Sequence, residues 1–213
     1  MEYRIIGETL PAVEMKLQAG ESVYTQSGGM AWMSDGLTLD SNVKGGLMKG
    51  LGRMFAGESL FMATYTATKP DSIIAFASTV PGKILPVDVG KTSLICQKGA
   101  FLCAQPTVEV ATAFSKKMSA GFFGGEGFIL QRLGGKGMAF LEVDGDVVEK
   151  TLAPGESIKI DTGNVFAFEP SVSYEIETIK GVKNMFFGGK IYMQTMNMAE
   201  FTGRIAQGIP TSN

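Results

Sequence analysis

Apolar residues along this chain alternate with polar ones, or gather in short β-branched runs. KILPVDV (83–89), TSLICQ (92–97), VVEKTL (147–152) and SIKI (157–160) are the clearest cases. A period of two buries one face of a strand, so these windows predict strands. They are separated by PG, DG, KG, TGN and SGG, which specify turns. Short strands with a turn about every ten residues predict an all-β sandwich or barrel.

Helical spacing is confined to a few windows. In VKGGLMKGLGRMF (43–55), Leu47, Met48, Leu51, Met54 and Phe55 fall on one helical face, against the cost of the glycines. VATAFSKKMSAGFF (110–123) is a second candidate helix. ETIKGVKNMFF (177–187) reads equally as helix or irregular chain, and MAEFTGRIAQG (198–208) as a short closing helix.

Two motifs recur three times each, in alternation. The first is Gly20-Glu21-Ser22, Gly90-Lys91-Thr92 and Gly155-Glu156-Ser157. The second is FAGE (55–58), FGGE (123–126) and FGGK (187–190). From the glycine of the first to the phenylalanine of the second the distance is 35, 33 and 32 residues. Three copies in order at near-constant spacing indicate an internal triplication of period about 65–70. AFASTVPGKILPVDVGKT (75–92) lines up with AFLEVDGDVVEKTLAPGES (139–157), and FLCAQPTVEV (101–110) with FAFEPSVSYEI (166–176). The units are placed at 1–68, 69–133 and 134–197, with a tail at 198–213. No linker separates them, so they are expected to share one core.

Composition narrows the chemistry. The chain has 213 residues with a net charge of −2 and a pI near 5.3, which argues against a general nucleic-acid surface. It contains no His, which removes Ser-His-Asp and Cys-His catalysis and every His-ligated metal site. Gly reaches 28 residues, which favours turns and bulges over long helices. No signal peptide and no run of 18 apolar residues is seen, so a soluble cytoplasmic protein with reduced thiols is expected.

The runs SGGMAWMSDG (27–36), GLMKGLGRMFAGESLFMATYTA (46–67), FFGGEGFILQRLGGKGMAFLEVDG (122–145) and FAFEPSVSYEI (166–176) closely resemble the altered-inheritance-of-mitochondria (Aim) family. The resemblance covers nearly the whole chain. It implies an all-β fold of three tandem β-sandwich repeats around a pseudo-threefold axis, with short helical segments. Each repeat would be similar to the trp-RNA-binding attenuation protein (TRAP-like, a double-stranded β-helix). It also implies a homo-oligomer, for which a trimer is favoured. The family supplies no catalytic residues and no cofactor.

The motif Phe55-x-Gly57, Phe123-Gly124-Gly125 and Phe187-Gly188-Gly189 has two readings. One is an anion cradle of backbone N–H groups. The other is a structural joint with phenylalanine as a core plug, and it is favoured because each copy heads a strand and not a helix. Unit three departs from the pattern, with Lys190 where unit two has Glu126. The candidate helices carry Lys44, Lys49 and Arg53, Lys116 and Lys117, and Lys180 and Lys183. Related by a threefold axis, they would form one basic face for anions or an anionic membrane; solvated surface lysines are the plainer reading.

Cys96 and Cys103 flank the Lys98-Gly99 turn and are expected on neighbouring hairpin strands as buried small hydrophobes. Trp32 is expected in the core. Asp144-Gly145-Asp146 is expected as a hairpin turn, lacking the further ligands of a calcium loop. The functional expectation is a non-enzymatic oligomeric scaffold, with a membrane-surface role as one form of it. A small-ligand or nucleic-acid binding module is the alternative by fold analogy, and a His-independent enzyme the second alternative.

Overall fold

A computed structural model describes residues 1–26, 29–40, 62–116, 128–176, 182–186 and 189–196. The described chain is all-β. Its strands are β1 (Glu2–Ile6), β2 (Ala12–Leu17), β3 (Ser22–Gln26), β4 (Met30–Met33), β5 (Leu37–Asp40), β6 (Met62–Ala67) and β7 (Ser72–Ala77). Then come β8 (Gly82–Asp88), β9 (Leu94–Gln97), β10 (Phe101–Ala104), β11 (Val108–Lys116), β12 (Phe128–Gly135) and β13 (Met138–Asp144). The last are β14 (Val147–Leu152), β15 (Ser157–Asp161), β16 (Val165–Phe168), β17 (Ser173–Ile176), β18 (Val182–Phe186) and β19 (Gly189–Gln194). The helical content among described residues is two single 3-10 turns, Lys98–Ala100 and Thr162–Asn164.

The strands form four antiparallel sheets. Sheet I has the order β1-β2-β7-β4, sheet II β5-β6-β3-β10-β13-β8, sheet III β11-β12-β9-β16-β19-β14, and sheet IV β15-β18-β17. Each neighbouring pair of sheets shares one core. Val13, Met15 and Phe76 of sheet I pack with Tyr65, Leu102 and Phe140 of sheet II. Tyr24, Phe101 and Leu141 of sheet II pack with Cys96, Leu133 and Phe166 of sheet III. Ile95, Leu130 and Phe168 of sheet III pack with Ile160 of sheet IV. Sheets II and III are therefore covered on both faces, which is why FLCA (101–104) and VFAF (165–168) are buried at every position rather than at alternate ones.

The strand order repeats. From β2 onward, runs of six strands follow the same pairing rule, β2–β7, β8–β13 and β14–β19. In each run the third strand pairs the sixth across a bulge. The register slips between Met30 and Trp32 in β4, Phe101 and Cys103 in β10, and Val165 and Ala167 in β16. A bulge places two consecutive residues on one side of the sheet. Leu102 and Cys103 thus both enter the core between sheets I and II, and Phe166 and Ala167 both enter the core between II and III. A repeat of this kind can be cut at any strand, so the pairing leaves the choice of unit boundaries open.

Several local expectations are corrected. Residues 110–116, expected as the start of a helix, belong to β11: Val108 and Val110 are buried, Glu109 between them is exposed, and the strand pairs with β12 from Val108 to Lys116. Residues 182–186 of the 177–187 window form β18, held between β15 and β17. In both, ladder pairing outweighs helix propensity. The windows 43–55 and 198–208 lie outside the described residues. Asp144-Gly145-Asp146 is not a hairpin: β13 lies in sheet II and β14 in sheet III, so the turn carries the chain from one layer to the next. Gly145 takes φ of +74°, which glycine allows, and the turn is tied down by Asp146 N–H donating to Thr195 Oγ1 at 2.8 Å.

Candidate functional site

The sheets are built across two joints, each made by equivalent strands of successive repeats. At the first, β3 pairs β10, with Thr25 opposite Cys103 and Tyr24 opposite Ala104. At the second, β9 pairs β16, with Cys96 opposite Ala167 and Ile95 opposite Phe168. Both are reinforced by side chains. Thr25 Oγ1 donates to the carbonyl of the bulged residue Leu102 at 2.6 Å, and both residues are buried. Gln97 Nε2 donates to the carbonyl of Thr162 at 2.8 Å and to that of Val165, clamping β9 to the turn that leads into β16.

The strands that would make a third joint are β15 and β4, and they do not pair with each other. By their place in the repeat, β15 corresponds to β3 and β9, and β4 corresponds to β10 and β16. Yet β4 is an edge of sheet I and β15 an edge of sheet IV. The difference in exposure is large. Leu102, Cys103, Phe166 and Ala167 are at most 4% exposed, whereas Trp32 is 43% and Met33 42% exposed. Trp32, expected in the core, therefore stands in solvent on an open strand edge. The sequence of that strand, MAWM, carries no charge and no proline, the usual protections of an exposed edge. An edge of this composition marks an interaction surface.

The Gly-Glu-Ser motif has a structural role. The Glu21 carboxylate accepts from the backbone N–H of Gln18 at 2.8 Å, and that of Glu156 from Ala153 at 3.0 Å. Each glutamate caps the turn that precedes its own strand. Gly20 and Gly155, at φ of +85° and +81°, supply the left-handed step. A cation sits on each carboxylate, the N-terminal ammonium on Glu21 and Lys150 on Glu156. The bond to that ammonium, the Gln18 N–H and, in Glu156, Ala153 N–H and Lys150 hold both carboxyls below the ordinary glutamate value. In the second copy the charge is exchanged: Lys91 replaces the glutamate, and Asp88, three residues earlier, accepts from Gly90 N–H at 3.1 Å.

One cleft holds convergent polar groups. It is lined by Thr79, Gln97, Gly99, Glu142, Asp144 and Gln194, and has a volume of 190 Å³. Ligand pockets usually span about 300–1,000 Å³, so this one suits water or an ion rather than a metabolite. Glu142 accepts from Thr79 N–H at 2.8 Å and Thr79 Oγ1 at 3.1 Å. Burial nevertheless outweighs those bonds and raises its carboxyl above the ordinary value, with the nearby Asp144 charge adding to the rise. No group of three or more acidic or Cys side chains suited to a metal occurs among the described residues.

The sequence-predicted site residues fall largely elsewhere. Lys44, Lys49, Arg53, Lys117 and Lys180 lie outside the described residues, as do Phe55, Gly57, Phe123, Gly124, Gly125, Glu126, Phe187 and Gly188. Lys116 ends β11 and Lys183 lies in β18. Gly189 opens β19 opposite Leu152, and Lys190 next to it pairs with Glu149 at 2.7 Å on the surface. Cys96 and Cys103 are both free and fully buried, as expected, but not on a hairpin. The turn between them carries the chain from sheet III to sheet II, and each pairs with a different repeat. Burial pushes the Cys96 thiol up to about 12 and Cys103 upward as well, so both are unreactive. Sequence reasoning missed the β4 edge; the uncharged run MAWM just after a glycine turn was its signal.

A family model described as "Mitochondrial biogenesis AIM24" matches residues 3–204. The chain belongs to this family. It is also similar to a protein of Streptococcus pyogenes serotype M6 named as uncharacterised, at 31% identity over 222 residues, covering 95% of this chain and 88% of that protein. A crystal structure of a Streptococcus pyogenes protein superposes with a TM-score of 0.78 at 26% identity, covering 98% of this chain and 99% of that one. The family description names a cellular process. Neither relative's name states a reaction, ligand or partner. No helix among the described residues of this AIM24-family chain is long and apolar enough to cross a membrane.

Proposed function

We propose that this AIM24-family protein is a non-enzymatic scaffold that works as a homo-oligomer, with three chains the expected number. The observation that carries the reading is the open β4 edge. An uncharged strand exposes a tryptophan and a methionine at a position that is fully buried in its two counterparts. Monomeric proteins blunt such edges with charge, proline or cover, and this one has none of the first two. The absence of His and the two buried thiols support the non-enzymatic part of the reading. Sedimentation equilibrium over micromolar concentrations tests it. A particle of several 22.7 kDa chains is expected, and a strict monomer at every concentration overturns it.

A membrane-surface form of the same role draws on the sequence. Lys44, Lys49 and Arg53 lie beside Met48, Leu51, Met54 and Phe55. In an oligomer these basic segments recur in every copy and add their attraction for anionic lipid. Flotation with anionic and neutral vesicles separates the cases: binding confined to anionic vesicles supports the membrane role, and equal behaviour removes it.

A further inference from the structure

We propose that the third joint forms between molecules: β4 of one chain pairs antiparallel with β15 of a second copy. Trp32 then faces the second copy's Ile160, and Met33 its Lys159. The proposal rests on the scaffold reading and names the contact that builds the oligomer.

The strand orders carry it. Sheets II and III each have six strands, with the joint between the third and fourth: β5-β6-β3 against β10-β13-β8, and β11-β12-β9 against β16-β19-β14. Sheet IV read inward is β17-β18-β15, the left half of that pattern. Sheet I read inward is β4-β7-β2, the right half, with β1 added outside. Placed edge to edge they make the missing sheet, in the same order and with the same strand directions. The register follows by position. Thr25 faces Cys103 and Cys96 faces Ala167 at the two existing joints, and the corresponding residues at the third are Ile160 and Trp32.

Side-chain direction agrees. At each bulge, two residues enter the core on the N-terminal side of their sheet, Leu102 with Cys103 and Phe166 with Ala167. The same bulge in β4 directs Ala31 and Trp32 away from the core between sheets I and II, while Met30 packs into that core. Among the described residues of one chain no layer lies on that side of sheet I. In the assembly the layer there is the second copy's sheet III, and the indole joins the core where Ile160, Leu152 and Phe168 lie.

The joint is not closed within one chain. Both strands are described, and they belong to separate sheets. The second joint is clamped by Gln97 reaching across it. At the third joint the corresponding residue is Asp161, which has no side-chain amide N–H to reach across and whose carboxylate instead accepts from Gly163 N–H of its own turn at 2.9 Å. Two different open edges, β4 and β15, on one chain give a head-to-tail contact, which closes into a ring or runs on as a filament.

Disulfide trapping tests the contact at surface positions, so that the core is untouched. Directly opposed residues of antiparallel strands bring Cα atoms about 4.5–5.5 Å apart, within reach of a disulfide. Met33→Cys and Lys159→Cys are made in separate chains, mixed and oxidised, and read on a non-reducing gel. A covalent dimer in the mixture, absent from either variant alone, is the expected result. Met33→Cys mixed with Ser157→Cys, two residues out of register, is expected to link at least tenfold less. The double variant Met33→Cys/Lys159→Cys is expected to give a ladder of multiples. A link confined to single chains would mean closure within the molecule and overturn the proposal. An oligomer by sedimentation with no link in the mixture overturns this contact while leaving the scaffold reading intact. A monomer throughout overturns both.

Discussion

The hydroxyl of Thr25 is the sharpest test of how the existing joints are held. It sits in β3, 1% exposed, and donates at 2.6 Å to the carbonyl of Leu102, the bulged residue of β10. Valine has the same shape and no donor. Thr25→Val therefore leaves a buried carbonyl short of a hydrogen bond without opening a cavity, which costs about 1–3 kcal/mol. For a chain of this length each kcal/mol lowers the midpoint by about 2–4 °C, so a fall of about 2–12 °C is expected. Thr25→Ser keeps the donor and loses one methyl, about 0.8 kcal/mol. Thermal unfolding followed by far-ultraviolet circular dichroism, with wild type and both variants at one concentration, reads the order. The reasoning requires wild type first, serine second and valine last. A valine variant as stable as the serine variant would show that the bulge carbonyl needs no partner, and the account of the joint would fail.

Three further outcomes follow. Trp32→Lys should leave the chain folded, within about 0.5 kcal/mol, because the side chain is solvent-facing there. Roughly 100 Å² of exposed indole at ~25 cal/mol per Å² corresponds to about 2.5 kcal/mol per contact, so sedimentation should show association weakened about 70-fold; unchanged mass would contradict it. Glu142→Gln should alter the pH dependence of stability. A raised carboxyl pKa means that the favourable contribution is complete below the ordinary 4.5 and is lost as pH rises through the folded value. Urea midpoints of the glutamine variant should therefore gain on wild type between pH 4.5 and neutrality, and parallel curves would refute the burial argument. Gly82→Ala would put a Cβ 1.8 Å from the Val143 carbonyl oxygen, so β8 and β13 must separate. A loss of about 3 kcal/mol or more in urea unfolding is expected, and a loss under 1 kcal/mol would show that the strands can give way.

What was legible in the sequence was local. Alternation in SIKI and VVEKTL foretold β15 and β14, and the KG and TGN turns fell between strands as read. The repeated Gly-Glu-Ser step was visible too, although the capping role of its carboxylate needed coordinates. Long-range pairing was not legible. Ala and Lys in VATAFSK (110–116) suit a helix, and only the partner strand β12 shows why this stretch is extended. Cys96 and Cys103 look like a hairpin until the intervening turn is seen to change sheets. The alignment between repeats was one residue out in this region. Sequence set Phe76 against Phe140, while the bulges match Phe76 to Leu141, opposite Met30 and Phe101 respectively. With a side-chain period of two, that slip sends every residue to the other face. Trp32 reads as a core residue in the sequence, since a hydrophobic strand at an open edge has the same pattern as one in the core.

Amide hydrogen exchange on β4 tests the central claim most directly. If a second copy covers this edge, those amides of Met30–Met33 that face away from β7 are protected in concentrated protein and lose that protection on dilution below the dissociation constant, together with those of Ser157–Asp161 in β15 that face away from β18. Fast exchange in both strands at every concentration would contradict the account, as would protection that dilution leaves unchanged.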